Sequence, residues 1–553
     1  MRIQNYSVLS WIPGMTMPSS PSQYPTFGTS SPCSWLLRFG NGLLPVLVAV
    51  ILGTGSVQWL RAAEPDKPEQ SAAERIHALT PRLESYVAAG MKAFGVPGAA
   101  IGIVSGDELV YSKGFGVRSK SGKQQVDTQT MFQIGSATKA FLSTTMAIEV
   151  DRGKFHWDDR VVDLYPDFQL KDPWVTREFR VFDLLAQRSG LPPYANDMLG
   201  NLGFDENALI HSLRYVEPIS SFRSSFAYTN ITHIIAGKIV AKAEDAADWN
   251  AVLRKELLDR LGMKNSTYTA AAIKAAPNHA DGHRYTPDGS VEIPFDPFFP
   301  YLFGGAGDIN SNVEEMARWI RLQLDNGSSQ GERIVSPENL AVTRTPKVAV
   351  SEKASYALGW VVALTPNGTI VWHNGGTSGF GAFVGLELDR HIGVVILTNE
   401  GNVGFPDALG LWIFDRLLGN ANVDHVANTL KRAKENFSHA DKMFAKLVHA
   451  RPYPPLAPLC GTFANASFGK AALKQDKDAL VLALQTGAEF KLEPWDGEIF
   501  TARLVASGPF TTAVENQGPR PNGFVQFQMD KDGKLNVLRL SFEDGQAYNF
   551  RRE

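Results

Sequence analysis

The chain has 553 residues, 44% apolar and 20% charged, a globular composition that excludes an intrinsically disordered protein. A formal net charge of −3 without a basic stripe argues against a nucleic-acid partner. The two cysteines, Cys33 and Cys460, exclude a disulfide framework and a zinc site of the Cys-x-x-Cys kind. The histidines lack ligand-like spacing, so neither a metal nor a cofactor is expected.

The first 63 residues read as a targeting region. Residues 1–40 are rich in Ser and Pro. Arg38 then precedes the apolar run Leu43 to Gly53, and Ala62-Ala63 leads into the polar stretch Glu64 to Gln70. Charge, apolar core, small residues and a polar start is the order of a signal peptide, so the chain is expected to be exported, either periplasmic or secreted. The run is short and glycine-containing for a spanning helix; left uncleaved, it would anchor the protein in the inner membrane.

Ser71-Ala-Ala-Glu74 is a capping box, and an amphipathic helix follows to about Phe94. Ala99 to Val104 and Glu108 to Phe115 read as a hairpin around Ser105-Gly106-Asp107. Helices are expected at Ala137 to Asp151, Ile231 to Ala243, Val313 to Leu324 and Phe405 to Leu418. Strands are expected at Leu358 to Leu364, Thr369 to Trp372, Ala382 to Leu388 and Gly393 to Thr398. One domain, about 72–420, thus has helices in its middle and strands at both ends. A helical linker follows over 421–455, with the helix itself at Val423 to His449, and Pro452, Pro454, Pro455 and Pro458 close it. Residues 456–553 form a small all-β module, with a hairpin of Phe524 to Met529 and Leu535 to Phe542 across Asp530-Lys-Asp-Gly533.

Three short motifs carry chemistry. Ser136-Ala-Thr-Lys139 opens a helix, so its two ends share a face. A serine hydroxyl needs an adjacent base, and a lysine of lowered pKa can serve. The helix start also offers free backbone N–H groups. The competing reading is an ordinary N-cap serine beside a solvated lysine. Tyr228-Thr-Asn230 enters the next helix; tyrosine can relay a proton and asparagine can hold an amide, although a lone tyrosine is more often a packing residue. Trp372-His-Asn-Gly-Gly-Thr377 lies between strands; its glycines let backbone approach a ligand, and His373 can meet a carboxylate or carbonyl or serve as a structural histidine. Each motif occurs twice. The second copies are Ser467 to Lys470 in the β module, Tyr194-Ala-Asn196, and His391-Ile-Gly393 inside an apolar strand run.

The order Ser-x-x-Lys, Tyr-x-Asn, His-x-Gly resembles that of the serine β-lactamase-related and penicillin-binding-protein-like hydrolases, which include class C β-lactamases, D-Ala-D-Ala carboxypeptidases, D-aminopeptidases and esterases. The resemblance covers about residues 72–420 and extends to Leu184-Leu-Ala-Gln-Arg-Ser-Gly-Leu-Pro192, Gly304-Gly-Ala-Gly-Asp308, Tyr356-Ala-Leu-Gly-Trp360 and Leu397-Thr-Asn399. The family usually has a histidine near Gln187, missing here. The tail, with Leu459-Cys-Gly-Thr-Phe463, resembles a lipocalin-like barrel appended to some members.

The resemblance implies an α+β fold, an antiparallel sheet flanked by helices with an all-helical subdomain, followed by a small antiparallel β-barrel. It implies Ser136 as the acylated nucleophile, Lys139 and Tyr228 as base and proton relay, and Asn230 as the residue that orients substrate. His373 stands where the family has a lysine near the substrate carboxylate, and Gly375 and Gly376 line the substrate. The backbone N–H groups of Ser136 and Gly376 form the oxyanion hole. The expected partner is a small-molecule or peptide substrate, peptidoglycan-derived fragments among them, cleaved at an ester or amide bond. A histidine gives only a conditional charge, which favours ester or peptide substrates over β-lactams. Gly-x-Ser-x-Gly and Gly-x-x-x-x-Gly-Lys-[Ser/Thr] are absent, which argues against an α/β hydrolase and a P-loop enzyme. The alternative is a non-catalytic cell-envelope binding protein on the same fold.

Overall fold

The structure, a computed structural model, describes residues 70–553 apart from Asp544. The targeting region expected over 1–63 lies outside the described residues. Among the described residues no helix is long and apolar enough to cross a membrane.

An eight-stranded antiparallel sheet organises the larger domain. Its order is Glu108–Gly116, Gly98–Ser105, Ile392–Thr398, Gly381–Glu387, Gly368–Gly376, Val361–Thr365, Ala354–Tyr356, Val348–Ser351. The register Ala99↔Thr398 joins the first hairpin to the last strand, so the two ends of the domain meet as neighbours within one sheet. Side chains alternate across a strand, and here both faces are covered. Ile392, Val394 and Ile396 join one core, under the helices Ala72–Phe94 and Phe405–Leu418; Val395 and Leu397 join the other. That second core holds the helices Thr138–Asp151 and Val313–Leu324, locked by Phe141 stacked on Trp319 (4.1 Å) and Trp319 on Trp360 (5.5 Å). The helix Ile231–Ala243 is buried nearly all round, as an apolar helix at the centre of a helical subdomain must be.

Three expectations need correction. The strand predicted from Leu358 starts at Val361, because Ala357 N–H donates to the Trp360 carbonyl (2.8 Å) and closes a turn there. His391 lies in the exposed turn before the strand Ile392–Thr398, not within it; its N–H bonds the Leu388 carbonyl (3.2 Å) and its φ is 52°. The linker helix spans His425–Met443 and stops short of His449, since the barrel claims the chain beyond: the Trp495 indole N–H donates to the Ala445 carbonyl (3.1 Å) and Arg451 pairs with Asp496.

The C-terminal module is a closed barrel of eight strands running from Gly461–Asn465 to Ala547–Arg552. Phe463↔Arg552 and Ala464↔Arg551 close it. The strand Ala479–Leu484 alternates buried and half-buried residues, the signature of a side-chain-filled interior. The barrel shares a continuous core with the helical subdomain. Phe204 meets Phe468 edge-on at 5.8 Å, the Tyr548 hydroxyl donates to Asn196 Oδ1 (2.9 Å), and the Gln546 amide donates to the Pro193 carbonyl (2.8 Å).

Candidate active site

The site is built where a tight turn enters the buried helix Thr138–Asp151. Phe132–Gln133 pairs with Asn310–Ser311, and the chain then reverses through Gly135, whose φ is +51°. A Cβ on Gly135 would lie 2.7 Å from Gly376 N, and one on Gly375 only 1.8 Å from the Ile134 carbonyl oxygen. These two glycines let the strand Gly368–Gly376 run against the turn that carries Ser136, so the backbones of Ser136 and Gly376 are neighbours. Ser136 is half-buried and Gly376 exposed, so the site opens to solvent there.

Lys139 is wholly buried. Its Nζ lies 3.1 Å from Ser136 Oγ, 2.7 Å from Asn230 Oδ1 and 2.8 Å from the Ala306 carbonyl oxygen. Burial lowers its pKa to about 7, with Asp197 and Asp308 opposing the shift. A neutral amine has two N–H donors and one lone pair. Asn230 and Ala306 accept the two donors, and the lone pair is left for the Ser136 hydroxyl.

Tyr228 lies beside Ser136, and its ring faces Lys139 Nζ at 4.7 Å. Burial pushes its hydroxyl well above the usual phenol range, so it stays protonated. Asn230 is bonded within the protein at both ends of its amide: Oδ1 accepts from Lys139, and Nδ2 donates to Asp197 (2.6 Å). The amide expected to orient substrate therefore fixes the lysine.

His373 is also brought to the site, its ring centroid 6.2 Å from that of Tyr228. Its Nδ1–H donates to the Asn374 carbonyl (2.6 Å), which leaves Nε2 to accept from the Tyr356 hydroxyl (2.9 Å). Burial, then the nearby Lys139, lowers its pKa to about 3. It is neutral and engaged at both nitrogens, not a conditional cation held out to a carboxylate.

Several residues of this arrangement were not singled out for roles in the sequence. Asp308, buried and raised to about 6 by desolvation, accepts from the Trp249 indole, the Asn250 amide and the Gly305 N–H (3.0 Å each). It thereby fixes the turn that presents the Ala306 carbonyl, and Gly304-Gly-Ala-Gly-Asp308 was the signal for it. Gln187 clamps the Tyr228 segment: its Oε1 accepts from Thr229 N (2.6 Å) and its Nε2 donates to the Thr229 carbonyl (3.1 Å). Asp197 carried no signal, because its contact with Asn230 spans 33 residues between two loops. Among the described residues no acidic, histidine or cysteine cluster could hold a metal ion.

With this geometry in hand, comparison with known proteins is direct. The family model described as "Beta-lactamase" matches residues 83–415, more than half of the chain. The chain belongs to the beta-lactamase family. A second model, a domain of unknown function (DUF3471), matches residues 445–552, the barrel and its approach. The chain is similar to unguisins hydrolase ungD' of Aspergillus campestris, 25% identical over 81% of this chain and 86% of that one. It is also similar to protein flp of Staphylococcus aureus strain MW2, 22% identical over 64% of this chain and 69% of that one. The octameric penicillin-binding protein homologue from Pyrococcus abyssi shares the fold, with a TM-score of 0.56, 20% identity, and coverage of 85% of this chain and all of that one. This beta-lactamase family member is therefore a hydrolase by family, with a transpeptidase-like fold and an appended closed barrel.

Proposed function

We propose that the protein is a serine hydrolase that cleaves ester or amide bonds through an acyl-enzyme on Ser136. The observation that carries this reading is the buried Lys139 Nζ, 3.1 Å from Ser136 Oγ, with both of its neutral-state donors already engaged. Lys139 takes the Ser136 proton as the oxygen attacks the substrate carbonyl. The backbone N–H groups of Ser136 and Gly376 receive the developing oxyanion. Tyr228, held protonated by burial, delivers a proton to the leaving group and is reprotonated from Lys139. Water then attacks the ester by the reverse path.

An uncharged His373 offers no fixed cation, which supports esters or neutral amides over β-lactams and carboxylate-terminated peptides. The test is hydrolysis of p-nitrophenyl acetate by residues 64–553, beside the Ser136→Ala variant and mass analysis after fluorophosphonate treatment. Turnover and a single adduct on Ser136, both lost in the variant, are expected. A labelled protein whose adduct lies elsewhere would overturn the assignment.

A further inference from the structure

The carboxylates of Asp308 and Asp197 both bear on Lys139, by different routes. Asp308 acts through backbone: it holds the turn that presents the Ala306 carbonyl, and its oxygens are engaged by Trp249, Asn250 and Gly305. Asp197 acts through a side chain. Its Oδ2 accepts from Asn230 Nδ2 (2.6 Å), Asn230 Oδ1 accepts from Lys139 Nζ (2.7 Å), and that Nζ lies 3.1 Å from Ser136 Oγ. One chain of contacts thus runs from the carboxylate to the nucleophile.

The chain has a direction, and Asp197 sets it. An amide side chain can sit either way round, whereas a carboxylate only accepts. The amide nitrogen must therefore face Asp197, and the amide oxygen is left to face Lys139. With one lysine N–H spent on that oxygen and another on Ala306, the lone pair of the neutral amine remains for the Ser136 hydroxyl. Reversed, the amide would put an N–H against Lys139 and compete with the serine for that lone pair. Asp197 itself is half-buried in a turn. Its N–H donates to the Tyr194 carbonyl (3.0 Å), and Tyr194 N–H donates to the Tyr228 carbonyl (2.7 Å). The turn is tied to the Tyr228 segment without drawing on the carboxylate.

Charge adds a second effect. A base must keep the proton it removes, and burial works against that for Lys139. The groups packed around the amine give little help. Tyr228 is protonated, and His233 on the helix Ile231–Ala243 and His373 on the strand Gly368–Gly376 are held neutral, first by burial and then by Lys139. Asp308 is itself raised to about 6 by burial. Asp197 opposes the loss of the lysine's proton most strongly.

We propose that Asp197 is a positioning residue for the reaction: it turns the Asn230 amide so that the Lys139 lone pair faces Ser136, and its charge helps Lys139 hold the proton taken from the serine. The proposal rests on the serine-hydrolase reading, and its test separates the two. The full chain is compared as wild type, Asp197→Asn, Asp197→Ser and Asp197→Glu. One readout is the pH profile of kcat and KM on p-nitrophenyl acetate. The other is the NMR titration of Lys139 in protein labelled with ¹³C at lysine Cε, its signal assigned by loss in Lys139→Ala. Both neutral variants should move the limb and the NMR midpoint to lower pH by about one pH unit, because an opposing charge has gone. Their kcat should fall about tenfold with KM little changed. Asp197→Glu, which keeps the charge, should keep the midpoint near that of wild type. A midpoint that stays put or rises in the neutral variants overturns the proposal, whatever the rate does. Loss of the fold in both neutral variants would make Asp197 a structural residue and overturn it too. Should the wild type leave the ester uncleaved, the Ser136 reading fails, and the NMR midpoint alone decides the role of Asp197.

Discussion

Ser-x-x-Lys occurs at Ser136–Lys139 and again at Ser467–Lys470, and the two copies differ in everything except spelling. Lys139 is wholly buried on a helix, one turn from its serine, within hydrogen-bond distance of three oxygens. Lys470 lies on the strand Gly469–Asp476 with its side chain 71% exposed, and its ammonium pairs with Glu553 at 3.0 Å. A helix sets positions three apart on one face, whereas Ser467 lies in the turn before the strand that carries Lys470, whose ammonium turns to Glu553, so only the first copy aims a lysine at its own serine. Burial then turns an ordinary ammonium into a base. The tyrosine motif shows the same contrast at closer quarters. Tyr194-Ala-Asn196 packs against Tyr228, ring centroids 5.5 Å apart, but Asn196 bonds Ser212 and the barrel's Tyr548 while Asn230 bonds Lys139. A motif acquires chemistry from what it is packed against.

The comparison can be broken most sharply at the serines. Ser136→Ala should lower kcat by at least about 10⁴-fold, whereas Ser467→Ala should stay within about twofold of wild type, as burst and steady-state ester kinetics would show. A large loss from Ser467→Ala would remove the distinction. At the lysines, Lys139→Ala should cost about 10²–10⁴-fold in rate, and Lys470→Ala nothing beyond assay scatter. On the proposed mechanism, in which Lys139 acts as the neutral amine, kcat/KM should climb with pH through a limb centred at about 7. A flat profile between pH 6 and 8 would assign the proton to another group. Stability should move the same way: with a folded pKa of about 7 against an ordinary 10.5, the unfolded chain binds more protons in that window, and stability rises with pH across it. The smallest effect is at the other tyrosine. Tyr548→Phe removes one hydrogen bond to Asn196 and should cost about 1 kcal/mol, read as a small fall in melting temperature with the pH limb unmoved.

Much of the fold was legible because its periodicity was strong. Helices Ile231–Ala243, Val313–Leu324 and Phe405–Leu418 lie where the apolar pattern set them, and a strand ending at Thr398 needed only its unbroken run of Ile and Val. The misplacements fell where a tertiary hydrogen bond competed with local pattern, at Leu358 and after Met443. In the site, the spacing of Ser136 and Lys139 gave their contact, because the helix makes it a local relation. Asp197, Ala306 and Gln187 reach the site from distant loops and leave no periodic trace. His373 was legible as a position but not as a charge state, since burial and Tyr356 decide that.

The continuous core that joins the barrel to the helical subdomain has a thermodynamic meaning. Phe204 against Phe468 and Asn196 beneath Tyr548 give the barrel no apolar boundary of its own on that side. Two modules that share one core lose their stabilising contacts together, so calorimetry should record a single cooperative endotherm for the described chain instead of one for each module. A substitution that loosens the barrel therefore lowers the stability of the hydrolase domain as well, read as one shift of the single endotherm.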